Sequence, residues 1–186
     1  MNTNTKYSSA AIAKLAMMTA ISVVLLFIRI PFPPAPFLEY DPADIPIYIT
    51  SFAYGPIAGL IVTFVVCFIQ AFMMGGNGII GFLMHFIATG LVAVTIGTIY
   101  KRNKTKKNAA TALIIGVLIA TVVMCIMNLL LTPLFMGGDI RDVIKMIVPI
   151  IIPFNLLKAG LNSLATFLVY KKLSGFLHRE SLKDAR

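Results

Sequence analysis

Six apolar runs are separated by short polar, proline-rich or glycine-rich breaks. They cover about Ala10 to Ile30, Asp44 to Tyr54, Pro56 to Met74, Ile79 to Tyr100, Ala109 to Leu131 and Val148 to Tyr170. A helix needs about 20 apolar residues to cross a bilayer. The second run is too short for that unless its ends shift or it tilts shallowly. The breaks carry turn chemistry: "PFPPAPF" after the first run, "YGP" between the second and third, and "GGNG" before the fourth. Near-continuous apolar runs satisfy their own backbone as helices. The strict alternation over about ten residues that marks a membrane barrel strand is absent. The pattern predicts an all-α membrane protein, with residues 1–186 forming a single domain of six transmembrane helices in one bundle.

Composition agrees. The chain is 59% hydrophobic and 12% charged, with a mean hydropathy of +0.91. Soluble domains carry about 25% charged residues, so lipid must cover part of this surface. The first run is longer than the h-region of a cleavable signal, and no A-x-A site follows it. Charge placement then orients the bundle. With the N-terminus inside, six crossings put 12 of the 16 Lys and Arg residues on the cytoplasmic side, including the "KRNKTKK" cluster and the C-terminal bases. Five of the seven acids fall outside: Glu39, Asp41, Asp44, Asp139 and Asp142. This positive-inside bias places both termini in the cytoplasm. The net charge of +9 is then a topology signal and not a nucleic-acid footprint.

Against this background a few polar residues stand out. Lys158 is the eleventh residue of the last run, roughly 15 Å below its outer end. A cation there costs about 2.5–3.5 kcal/mol on insertion scales and normally faces protein or a wet cavity. Asn155, Lys158 and Asn162 are spaced by three and four and share one helix face. Pro149 and Pro153 precede them, which predicts a kink. Asn128 lies roughly 7 Å below the outer end of the fifth run and Asn155 roughly 10 Å below that of the sixth, so the two can converge in an outward-facing cavity. Lysine offers three donors, and an asparagine amide offers donors and an acceptor. This set suits a flat, uncharged heterocycle with an alternating carbonyl and NH edge. Phe37, Tyr40, Met84 and Phe154 are candidates to pack on its faces, with plain core packing as the alternative for each. The expectation is that Lys158 lines a hollow made for an uncharged ring; a tight ligand-free contact with a carboxylate, or a place among acyl chains, would overturn it.

Other chemistry is missing. No P-loop motif, no CxxC, and no nucleophile or paired-carboxylate set lies at membrane depth, and Cys67 and Cys125 are far apart in apolar runs. His85 is the sole histidine in a spanning run. The chain reads as a non-enzyme without catalytic residues, metal or cofactor. The stretch "TPLFMGGDIRDVIKMI" between the fifth and sixth runs is a water-facing connector or a movable cap. In the first run, Ala16 and Ala20 form a small-xxx-small pair that Ala13 extends, which suits close helix approach within the bundle or by a separate subunit.

"PFLEYDPADIPIYITSFAYGPIAGL", "GIIGFLMHFIATG" and "FNLLKAGLN", with the alanine-rich first run, resemble the riboflavin-specific S components of energy-coupling-factor (ECF) vitamin transporters across essentially the whole chain. The resemblance implies riboflavin as a substrate bound from outside. It also implies a transmembrane scaffold subunit and two cytoplasmic ATPases as partners. The family's asparagine on the fifth helix and N-x-x-K pair on the sixth map onto Asn128, Asn155 and Lys158. First-loop residues that close the pocket match Leu38, Tyr40 and Asp41, and the scaffold-docking motif matches Ala16 and Ala20. Glu39 departs from the subgroup, where a basic or neutral residue is common. The rival readings are an S component for folate, pantothenate or thiamine, a self-sufficient carrier, and a small intramembrane enzyme.

Overall fold

The computed structural model describes residues 9–75, 77–137 and 139–181. Lys6, Lys183 and Arg186, assigned above to the cytoplasmic side, lie outside the described residues.

The chain folds as α1 (Ser9–Leu25), a hairpin of β1 (Ile30–Phe32) and β2 (Ala35–Tyr40), then α2 (Asp44–Tyr54), α3 (Pro56–Met73), α4 (Gly78–Arg102) and α5 (Lys106–Met136). A short α6 (Ile140–Met146) and a π-helical turn (Ile147–Ile151) lead into α7 (Ile152–Ser181). Among the described residues, four stretches are long and apolar enough to cross a membrane: Pro56–Met73, Gly78–Arg102, Lys106–Leu134 and Ile140–Tyr170; α1 is a shorter apolar helix. Each of the six apolar runs is therefore helical. The first stops five residues earlier than its hydropathy suggests, because the chain turns at Leu26–Phe27 toward the hairpin.

Elementary rules set the boundaries. Gly55, at φ 89°, ends α2 by donating its N–H to Ser51 O at 3.1 Å, and Pro56 opens α3 at a position where its missing N–H is harmless. Helix α4 runs against this turn: a Cβ at Gly97 would lie 2.8 Å from Pro56 N, so no larger residue fits without movement. The Thr105 side chain caps α5 by accepting from Asn108 N–H at 3.2 Å. Asn108 in turn donates to Ile99 O and Asn103 O, both at 3.0 Å, stapling α5 to the end of α4.

Two elements depart from expectation. The proline-rich stretch after α1 is a two-stranded antiparallel hairpin, pairing Ile30 with Tyr40 and Pro31 with Glu39, with a register shift after Pro31. Prolines argue against interior strands, but in a two-stranded ribbon both strands are edges and tolerate them. The connector after α5 is a helix capped by Asp139, whose side chain accepts from Arg141 N–H at 3.0 Å. Around Pro149, where the sequence predicts a kink, the chain forms the π-helical turn Ile147–Ile151.

Helix α2 is buried on every side from Pro46 to Phe52 and touches α1, α3, α4 and α7. Its Thr50 and Ser51 hydroxyls bond within the helix, to Pro46 O at 2.8 Å and Ile47 O at 3.1 Å, so burial leaves these two satisfied. By contrast, Ile114, Leu118, Val122, Ile126 and Leu130 of α5 recur every four residues and are all exposed. Such a stripe faces lipid.

Candidate functional site

A cavity of about 310 Å³ opens beneath the hairpin, walled by α2, α4, α5 and α7. Its polar floor is built from residues far apart in sequence. Lys158 Nζ donates to Asp41 Oδ2 at 2.6 Å across 117 residues. Asp41 Oδ1 accepts from Ala43 N–H at 3.2 Å, which orients the carboxylate at the entry to α2. Asn162 Nδ2 donates to Asp41 O at 3.0 Å and Asp44 Oδ2 at 3.2 Å, and Thr89 donates to Asp44 Oδ1 at 3.2 Å. Asp44 also sits in the first turn of α2, where the helix dipole favours negative charge. Burial pushes the Asp41 carboxyl up, but the Lys158 ammonium and its hydrogen bond outweigh this and hold it below the ordinary carboxylate range.

The expectation that Lys158 faces a hollow without a carboxylate partner is corrected. Its ammonium is paired, and two carboxylates explain why a cation is tolerated at that depth. The pair nevertheless forms part of the cavity wall. Lys158 has three N–H bonds, and Asp41 takes one of them.

The asparagines are also partly engaged. Asn128 donates to Met124 O at 2.8 Å and accepts from Thr132 at 2.9 Å; Asn155 donates to Ile151 O at 2.8 Å. Each amide keeps a second N–H, and Asn155 keeps its carbonyl oxygen for another partner. Of the residues singled out from the sequence, Asn128, Asn155, Lys158, Leu38, Asp41 and Met84 line the one cavity. Tyr40 does not; it is partly buried at the end of β2. Phe37 and Phe154 also line the cavity, and Phe154 packs on Phe32 at 5.4 Å between ring centroids, tying the hairpin to α7. Ala13, Ala16 and Ala20 are all exposed on α1.

The sequence does not single out Asp44, Thr89 or Arg29 as site residues. Asp44 figures there only in the charge bias and as the start of the second run, and Thr89 is one hydroxyl among many. Asn162 is visible through its spacing from Lys158, yet its role is to clamp the β2–α2 junction to α7.

The sequence profile of the ECF transporter substrate-specific component matches residues 10–170. The chain is 35% identical over 172 residues to the riboflavin transporter RibU of Staphylococcus aureus, covering 89% of this chain and 90% of that protein. It is 26% identical over 178 residues to the riboflavin transporter FmnP of Bacillus subtilis, covering 89% and 92%. A solved S component of a bacterial ECF transporter superposes with a TM-score of 0.77 at 32% identity, covering 89% of this chain and 96% of that one. The chain belongs to the substrate-specific components of ECF transporters.

Proposed function

We propose that this chain captures riboflavin from outside the bacterial plasma membrane and delivers it to an ECF complex. The observation that carries this reading is the convergence of Asn128 from α5 and of Asn155 and Lys158 from α7 on one cavity under the hairpin. The two relatives described above are riboflavin transporters, which supports the same substrate. The spare N–H bonds of Lys158 and Asn155 donate to ring carbonyls, and Asn128 reads another polar edge. Leu38, Met84, Phe37 and Phe154 give apolar contact, while the ribityl chain runs toward the hairpin. Tyr40 and Asp41 belong to the segment that closes over the ligand.

The whole chain, residues 1–186, acts as one membrane domain with six helical passes and both termini in the cytoplasm. Helix α2 is the shortest of the six, its 11 residues rising about 16 Å. The exposed Ala13, Ala16 and Ala20 face of α1 docks a transmembrane scaffold subunit, and two cytoplasmic ATPases on that scaffold supply the energy for release. Riboflavin is cargo, not a cofactor.

Titration of the purified chain with riboflavin, followed by quenching of flavin fluorescence, tests the reading. Saturable binding is expected, weakened by about 1–3 kcal/mol in Asn155→Ala as a buried hydrogen bond is lost. A colourless protein indifferent to added riboflavin would point to an S component for another vitamin.

A further inference from the structure

Five charged side chains line the cavity: Arg29, Glu39, Asp41, Asp44 and Lys158. They form two tiers. In the inner tier, the Lys158 and Asp41 side chains are only 13% and 8% exposed and pair at 2.6 Å, while Asp44 is held by Asn162 and Thr89. In the outer tier, Arg29 and Glu39 are 28% and 43% exposed, and Arg29 Nη1 reaches Glu39 Oε2 at a loose 3.5 Å.

The inner tier alone holds two carboxylates against one ammonium. The outer tier does not offset this with a free cation. Arg29 donates from Nε to Leu26 O at 3.2 Å and from Nη2 to Met74 O at 3.0 Å, so most of its fork buckles the end of α1 to the end of α3. The edge that remains, Nη1, is the one turned to Glu39. Three carboxylates thus stand against two cations around the cavity, and the acid nearest water also occupies the cation nearest water.

We propose that Glu39 is a specificity-determining residue: it makes the mouth of the cavity reject flavins that carry a phosphate monoester and admit the neutral form. The inference rests on the riboflavin reading above. With the ring at Lys158 and the ribityl chain toward the hairpin, the terminal hydroxyl emerges at the Arg29–Glu39 tier. A phosphate there brings about −1.5 to −2 charges. It meets the Glu39 carboxylate in a half-desolvated mouth, where repulsion is screened less than in bulk water.

The test is a pair of titrations, riboflavin and riboflavin 5′-phosphate, on the full chain and on Glu39→Gln and Glu39→Lys, each read as the ratio of the two dissociation constants. The unaltered chain should favour the neutral flavin. Glu39→Gln should narrow the ratio by about tenfold at low salt, and less at high salt, because it removes one charge and frees Arg29 Nη1. Glu39→Lys should narrow it further. A ratio unmoved by both substitutions, or an unaltered chain that binds the phosphate ester as tightly as riboflavin, overturns the inference while leaving the riboflavin reading intact. Failure of the unaltered chain to bind riboflavin at all removes that reading and this one with it.

Discussion

The two ends of the bundle are held by different forces. At the cavity end, hydrogen bonds and an ion pair join segments more than a hundred residues apart, such as Asn162 to Asp41 across 121 residues. At the other end, about 18 Å beyond Lys158 along α7, the rings of Phe52, Tyr100 and Tyr170 pack together with centroids 4.7 to 5.5 Å apart. There the hydroxyls of Tyr100 and Tyr170 meet at 2.6 Å, each serving the other's polar group inside an otherwise apolar cluster. The ring end needs only shape. The cavity end needs charge balance, so its integrity depends on what occupies it and on its protonation. A binding protein can place its responsive chemistry in one half and its permanence in the other.

The sharpest way to break this contrast is to unbalance the ion pair. Lys158→Ala leaves Asp41 and Asp44 facing each other without a cation, and loss of one partner of a buried pair destabilises by about 3–5 kcal/mol. Thermal unfolding in detergent without ligand should show this loss, and the double variant Lys158→Met with Asp41→Asn should recover much of it. An Ala variant as stable as the parent would mean that the cavity end is not governed by charge.

At the ring end, Tyr170→Phe removes one hydroxyl and leaves the other buried without its partner, a loss of about 1–2 kcal/mol in stability. Flavin affinity should hold steady. An affinity loss matching the stability loss would show the two ends to be coupled.

The smallest effect concerns pH. The folded Asp41 carboxyl is held below its ordinary value of 3.8, so its stabilisation is complete above that value and is lost as pH falls through the lowered one. Melting temperature should therefore drop on the acid side of about pH 4, and less so in Asp41→Asn. A drop of equal size in both would assign the acid response to other carboxylates.

Much of the helical scaffold is legible in the sequence, because apolar runs of this length have few alternatives in lipid. "YGP" marks the α2–α3 turn through glycine's positive φ and proline's fixed one. Asn155 and Lys158 stand out because polar groups at that depth need a reason. What stays hidden depends on pairing between distant segments. No local signal tells Asp41 that its partner lies 117 residues on, so Lys158 reads as a lone cation seeking a ligand when it already holds a carboxylate. The hairpin is masked by its own prolines, whose usual meaning fails in a ribbon that is all edge.

Helix α2 has a consequence for how the chain enters the membrane. Eleven residues that include Pro46, Thr50, Ser51 and two tyrosines cannot partition into a bilayer by themselves. The Gly55–Pro56 turn fastens this segment to α3, whose 18 residues are apolar enough to cross. Helix α2 therefore goes in as a passenger of α3, and the orientation α3 adopts on insertion decides on which side of the membrane Asp41 and Asp44 arrive.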